Sequence, residues 1–314
     1  MTGAAGFIAS HLVDALLRDG AEVIGWDNMS SGNDEFLDDA RRSGRFRLIQ
    51  GDVLDLLGLT SAMSGADLVC HLSANADVRF GTDHPRRDLE QNTIGTHNVL
   101  EAIRTNGVRR IVFSSTGSVY GRTSVFPTPE DGPFPIQTSL YGASKLAGEA
   151  LISAYAEGFG LKAMVLRFVS ILGPRYTHGH VFDFYKKLRA DPTRLEVLGN
   201  GKQRKSYLHV DDCINAIQTV IRQADAPYEV FNLGTDEYCT VDDSIGWICS
   251  ELGLSPRLDY GGGESGWIGD NPFIFLDCSK LRRLGWAPRH TIKEGVLATL
   301  GWLREHPRIL DRCR

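Results

Sequence analysis

The segment Tyr141-Gly142-Ala143-Ser144-Lys145 sets a phenol and an ammonium four residues apart, which on a helix puts both on one face. A phenol titrating near ~10 is a poor base at neutral pH. A cation beside it favours the phenolate, so the pair can take a proton from a hydroxyl and later return it. Tyr-x-x-x-Lys alone is common on exposed helices, so the context has to decide. Upstream, Ser114-Ser115-Thr116-Gly117-Ser118-Val119-Tyr120-Gly121 follows an apolar run. There Thr116 can place a hydroxyl between a substrate and Tyr141. Thr116, Tyr141 and Lys145 are the catalytic candidates, for taking the hydroxyl proton of an alcohol whose carbon is being oxidised.

Oxidation needs a hydride acceptor, and the N-terminus offers a place for one. Thr2-Gly3-Ala4-Ala5-Gly6-Phe7-Ile8-Ala9 opens a helical pattern that continues through Leu12, Leu16 and Leu17. Glycines there permit a tight turn and close backbone approach to a pyrophosphate, which the helix N-terminus can bind. Ala9 takes the third position of the fingerprint, where a small residue packs helix on strand. Asp27 ends the next apolar run, where a carboxylate accepts both ribose hydroxyls of adenosine and repels a 2′-phosphate. NAD rather than NADP is the expected cofactor. A loop of this kind should follow a buried strand, yet Met1 stands directly before it. The expectation is a sheet without its first, central strand and with open backbone edges beside the loop. A start misassigned at a valine codon would explain it, and so would a truncated, inactive chain.

The elements that must hold these residues alternate in type. Glu22 to Trp26, Phe46 to Gln50, Ala66 to His71, Arg109 to Ser114 and Lys162 to Phe168 read as buried strands. Ile8 to Asp19, Glu90 to Thr105 and Tyr141 to Phe159 read as helices between them. That alternation implies a parallel sheet covered on both faces. After Gly173-Pro174 the texture changes to shorter elements with more Gly, Pro and Trp. The expected division is a dinucleotide-binding domain over residues 1–170 and a substrate domain over 171–314. A late run, Glu229 to Leu233, is expected to return to the first sheet.

With 314 residues, 42% of them hydrophobic and 23% charged, the chain can bury a large core, and a net charge of -5 gives no reason to expect nucleic acid or an anionic membrane. No apolar run has the length of a membrane span. Arg41, Arg42, Arg45 and Arg47 read as a solvated loop and strand edge. The cysteines Cys70, Cys213, Cys239, Cys249, Cys278 and Cys313 are scattered without metal-ligand spacing, as free thiols in a reducing cytosol would be. His178 and His180 flank Gly179 with no supporting carboxylate pattern, so no metal is expected.

In order along the chain, these segments resemble the extended short-chain dehydrogenases/reductases of the sugar-nucleotide epimerase/dehydratase family, and within it the UDP-galactose 4-epimerase-like proteins. The likeness rests on Thr2 to His11, Gly51-Asp52-Val53, His71-Leu72-Ser73-Ala74, Asn92 to Ala102, the Ser114 to Gly121 strand end and Tyr141 to Glu149. It continues through Gly173-Pro174-Arg175, Leu198 to Asp212, Asn232-Leu233-Gly234 and Leu276 to Trp286. The resemblance implies an α/β fold: a Rossmann-like doubly wound parallel sheet with a smaller C-terminal α/β substrate domain. It implies NAD lined by Gly3, Gly6, Phe7 and Ile8, with Asp27 and Asn28 at the ribose and Asp52 and Val53 at adenine. Leu72, Ala74, Asn92 and Ser114 would lie along the cofactor with Tyr141 and Lys145. A UDP-sugar would meet Ser118, Ser170, Arg175, Arg204, Lys205 and Asp270. It also implies a homodimer built on a four-helix contact of the Tyr141 and Glu90 to Thr105 helices.

Within such a family the reaction is read from the residues after Thr116. Related 4,6-dehydratases carry an Asp-Glu pair there, which helps expel a hydroxyl as water. Gly117 and Ser118 cannot act as acids, which favours 4-epimerisation of UDP-glucose/galactose through a 4-keto sugar. UDP-glucuronate is the alternative substrate, because Ser170 stands where epimerases of neutral sugars have Asn. Lys205 replaces an expected arginine, and Ser265 stands where similar proteins have another. Lysine lacks the planar fork that grips a diphosphate. A dehydratase or 4-ketoreductase, and an inactive NAD-binding scaffold, complete the alternatives.

Overall fold

The computed structural model describes all residues except 133–135, 264–265, 267–272 and 313–314. Its main sheet is parallel. β1 (Val23–Asp27) pairs with β2 (Phe46–Gln50), and β3 (Val69–His71), β4 (Arg110–Thr116) and β5 (Lys162–Phe168) pair in succession. The late strand, Tyr228–Leu233, adds to β5 as expected. Side chains alternate across the sheet, as a strand's period of two requires. Ile111 and Phe113 of β4 and Ala163 and Val165 of β5 meet Val99, Leu100, Ile103, Ile152 and Ala156 on one face. These come from the helices Gly95–Asn106 and Leu140–Phe159. On the other face Val112, Met164 and Leu166 pack with Leu12, Ala15, Cys213 and Ile217, from the helices Phe7–Arg18 and Val210–Gln223.

The expected gap beside the glycine loop is closed at the end of the sheet that matters. Thr2 bridges in parallel to both Trp26 and His71. Its N–H donates to the Cys70 carbonyl at 3.0 Å, and its own carbonyl accepts from Leu72 N–H at 3.3 Å. Toward β1, Trp26 N–H donates to the Met1 carbonyl and Gly3 N–H to the Trp26 carbonyl, each at 2.8 Å. Met1 and Thr2 thus join β1 to β3 at their carboxyl ends, and ligands bind to open α/β sheets outside that edge.

A second core gathers Leu172, Phe182, Leu195, Val197, Ile245, Ile248, Val296 and Leu300. It is built by the helices His180–Ala190, Val241–Leu252 and Ile292–Glu305 and the paired strands Arg194–Val197 and Arg257–Tyr260. Thr240 with Asp243, and Thr291 with Glu294, form reciprocal capping boxes that start two of these helices. The helix expected from Glu90 opens instead with a wide π-type turn, Leu89–Ile94, before Gly95–Asn106. Such turns are rare and often functional; this one carries the buried Gln91 and Asn92. Arg41 and Arg42 form exposed ion pairs with Asp34 and Asp39. The described cysteines are buried free thiols, and no described helix is long and apolar enough to cross a membrane.

Candidate active site

Ser139 starts the Leu140–Phe159 helix by accepting the Gly142 N–H on its hydroxyl at 3.0 Å. Tyr141 therefore lies in the first turn and Lys145 one turn on. β4 ends at Thr116, whose side chain hydrogen-bonds the Tyr141 phenol and accepts the Ser118 N–H at 3.1 Å. Burial pushes the phenol up to about 12, with the Thr116 bond opposing that and Asp88 adding to it. Lys145 is 2% exposed and its Nζ sits 4.3 Å from the centre of the Phe113 ring. Burial pulls its ammonium down to about 7, against the attraction of Glu149. Burial thus favours the neutral form of each group.

The glycine loop forms a cradle that a side chain would fill. Gly3 has φ +70°, and a Cβ there would stand 2.8 Å from the Ser73 nitrogen. Gly6 caps the Phe7–Arg18 helix with no side-chain acceptor, which leaves first-turn N–H groups of Phe7 and Ile8 to an anion. Asp27 ends β1, its oxygens accepting Ala5 N–H at 2.9 Å and Met29 N–H at 2.8 Å. Burial raises its carboxyl above the ordinary range in spite of those bonds. Asp52 accepts from Asn28 at 2.8 Å and from Gln91 at 3.2 Å. Burial would raise Asp52, but those donors and the Leu54 N–H hold it below its usual value. Val53 packs under Gly95, Leu72 follows Thr2 in the sheet, and Ala74 lies half-buried just beyond. Asn92, 1% exposed, accepts Asn75 N–H at 2.8 Å and donates to Ser144 at 2.9 Å. Ser114 donates to the His71 carbonyl at 3.3 Å. Loop, carboxylate and uncapped helix end together fit a dinucleotide.

The substrate candidates separate into two groups. Thr116 pairs with Phe168, and Ser170 begins the next strand, whose partner is Tyr207. Lys205 pairs with Ile274, whose methyl lies 2.9 Å from where a Gly117 Cβ would be. Ser118, Ser170 and Lys205 therefore surround the carboxyl ends of β4 and β5. Arg204 lies beside them, its guanidinium 4.0 Å from the Phe273 ring centre and 5.6 Å from that of Tyr238. Arg175 is engaged elsewhere, 2.8 Å from Asp14 on the first helix. Asp270 and Ser265 lie outside the described residues.

Thr116, Tyr141 and Lys145 lie beside a dinucleotide cradle, and the profile of the NAD dependent epimerase/dehydratase family matches residues 1–234. The chain belongs to that family. It is 34% identical over 312 residues to the UDP-glucose 4-epimerase of Mycolicibacterium smegmatis, covering 97% of each chain. A crystal structure of a UDP-galactose 4-epimerase superposes with TM-score 0.86 at 38% identity, over 97% of this chain and 98% of that one. The UDP-glucuronic acid 4-epimerase from Bacillus cereus, solved with UDP-glucuronic acid and NAD, gives TM-score 0.89 at 28% identity over 97% and 98%. The chain is thus an enzyme of the sugar-nucleotide epimerase family, and NAD is its cofactor.

Sequence reasoning missed the polar groups behind the trio. Glu149, 3% exposed, pairs with Arg167 of β5 at 2.6 Å and accepts a short hydrogen bond from Ser115. His71, fully buried, joins Thr2 of the loop at 2.7 Å to Thr96 at 3.0 Å. The spacing of Glu149 from Lys145, one further helical turn, was the available signal. Far along the chain, His209, Asp211 and His290 bring ligand atoms within 4.8 Å of one another. The imidazoles stack at 4.2 Å between centroids, His209 Nδ1 accepts the Asp211 N–H at 3.2 Å, and His290 Nδ1 bonds Asp212 at 3.0 Å.

Proposed function

We propose that this enzyme is a 4-epimerase of a UDP-hexose, interconverting UDP-glucose and UDP-galactose through a 4-keto sugar. The observation that carries it is the bonded Thr116–Tyr141 pair above Lys145, followed by a residue that cannot be an acid. At Gly117 even a Cβ would meet Ile274 at 2.9 Å, so the Asp of an elimination site has no room without displacing that side chain. When bound, oxidised NAD supplies a hydride acceptor at C4, a positive charge, and the hydride for the return step. Thr116 orients the 4-hydroxyl, and Tyr141 takes its proton at the phenolate oxygen while Lys145 holds the charge. After the keto sugar presents its other face, Tyr141 gives the proton back.

Relatives named for UDP-glucose and UDP-glucuronic acid epimerases leave a second substrate in view. Ser170, exposed at its strand start, favours a uronate because a small hydroxyl can bond a carboxylate. We also infer a homodimer in the cytoplasm. Leu89, Ile94 and Phe159 are 53%, 42% and 52% exposed on the two helical segments that would face a partner, and the free thiols suit a reducing compartment. The deciding test supplies NAD and UDP-galactose to the purified chain, with Tyr141→Phe as control, and follows UDP-glucose by chromatography. Conversion lost in the control supports the reading. Turnover of UDP-glucuronate alone would replace the substrate, and release of a 4-keto-6-deoxy sugar would replace the reaction.

A further inference from the structure

We propose that the buried Glu149–Arg167 pair is a positioning device for the catalytic trio: it ties the Tyr141–Lys145 helix to the strand carrying Thr116 and sets the charge that Lys145 faces. This rests on the epimerase reading above.

Tyr141, Lys145 and Glu149 follow one another at single-turn spacing on the same helix. Lys145 and Glu149 are 2% and 3% exposed, so neither is there for solubility. Glu149 Oε1 accepts from the Ser115 hydroxyl and from Arg167 Nε at 3.0 Å, and Oε2 accepts from Nη2 at 2.6 Å. Ser115 immediately precedes Thr116, and Arg167 is its register partner on β5. One carboxylate therefore locks three elements together next to the reacting groups. The lock extends outward through Arg167 Nη1, which donates to Tyr120 Oη at 2.8 Å and to the Glu130 carbonyl at 2.9 Å. Tyr120 Oη donates to Asn232 at 2.7 Å, and Asn232 donates to the Thr128 and Asp277 carbonyls at 2.9 and 3.0 Å. Tyr120 ends the short turn that bears Gly117 and Ser118. The substrate-facing turn and the catalytic helix thus share one anchor.

The charges around Lys145 give that anchor a second effect. His71 faces it from β3 and is neutral. Thr96 spends its proton on the Asn92 carbonyl at 2.5 Å, so it accepts from His71 Nε2, and Nδ1 accepts from Thr2. Burial and Lys145 itself push the His71 imidazole down to about 3. Asp88 bears on Tyr141 and Arg167 sits behind Glu149. Glu149 is left as the anion that favours the Lys145 ammonium against the cost of its burial. Without it the lysine releases its proton at lower pH, and Tyr141 loses the cation that supports its phenolate.

The test compares Glu149→Gln, Glu149→Asp and Ser115→Ala in the full chain with NAD and UDP-galactose. Asp14→Asn, which breaks the distant Arg175 pair, controls for general loss of stability. Glu149→Gln is expected to lower kcat about 10- to 100-fold with little change in KM. Its alkaline limb should move down by about one pH unit. Glu149→Asp keeps the charge and should lose kcat while keeping the limb; Ser115→Ala should do the same more mildly. Asp14→Asn should lower Tm and move neither limb. If Glu149→Gln does not fold, the charge-balanced double variant Glu149→Gln/Arg167→Gln replaces it. A Glu149→Gln profile that keeps its limb and its kcat overturns the inference, as does a limb shift of equal size in Asp14→Asn. If the unmodified chain shows no turnover, the epimerase reading fails by itself. The inference is then judged by ultraviolet titration of the Tyr141 phenolate, read against Tyr141→Phe. It stands if the Glu149→Gln phenolate appears at higher pH, and falls if the two titrations coincide.

Discussion

Lys145 shows how a single side chain can be set against the stability of the chain that carries it. In the cofactor-free protein its ammonium is pulled from the ordinary lysine range down to about 7 by burial. Between that value and the unfolded lysine's, the unfolded chain binds a proton that the folded chain does not, so this residue makes stability rise with pH across the window. Below it the full cost of a buried charge remains. Lys145→Met should therefore raise the Tm of the cofactor-free protein at neutral pH by on the order of 5 °C. It should also flatten the pH dependence of Tm between about 7 and 10 and abolish turnover. Calorimetry across that range checks the sign; a lower Tm in the variant would mean that the ammonium is stabilising. Tyr141→Phe removes only the phenolic oxygen and should cost about 10²–10⁴-fold in kcat, read by the same chromatography, while Tm changes little.

At the scale of elements, the site depends on where strands end and helices begin. The glycine loop turns back within a few residues because Gly3 adopts φ +70° with the Ser73 backbone nitrogen 2.8 Å from any added Cβ. Gly3→Ala should push the loop off β3 and weaken NAD binding about tenfold or more, at a stability cost of about 1–2 kcal/mol. Calorimetric titration with NAD measures the first and denaturant unfolding the second. Undiminished NAD affinity would mean that the loop does not hold the pyrophosphate. Much of this level was legible in the sequence. Phe46–Gln50 and Lys162–Phe168 are the strands their apolar runs predict, and the Tyr141 helix begins one residue early because Ser139 caps it. The π-type turn at Leu89–Ile94 was not legible, since wide turns leave no periodicity of their own.

At the scale of the molecule, the enzyme interleaves two cores. The chain leaves the first sheet after β5, yet Val210–Gln223 and Tyr228–Leu233 return to it, so binding at the seam should stiffen both. Saturating NAD at a hundredfold excess over Kd should add about 2.7 kcal/mol to unfolding, visible as a rise in Tm. The exposed Ile94 and Leu89 set a test of assembly. Sedimentation should find a dimer, and Ile94→Lys should shift it toward monomer, whereas an unmodified chain that sediments as a monomer would remove the proposed dimer.

By itself the sequence determined the chemistry available: a phenol and an amine one helical turn apart, a hydroxyl at a strand end, a glycine turn and a carboxylate after the next strand. Those are local facts of spacing, and local backbone geometry enforces them. Tertiary structure decided what separate elements do to one another. It turned Arg175 to Asp14, brought Ile274 against Gly117, and joined Glu149 to Ser115 and Arg167 across two strands. Met1 and Thr2 bridge β1 and β3 for the same reason, since those hydrogen bonds exist only once both strands are in place. Pairings between residues far apart in the chain depend on register and packing, and no short window of sequence contains either.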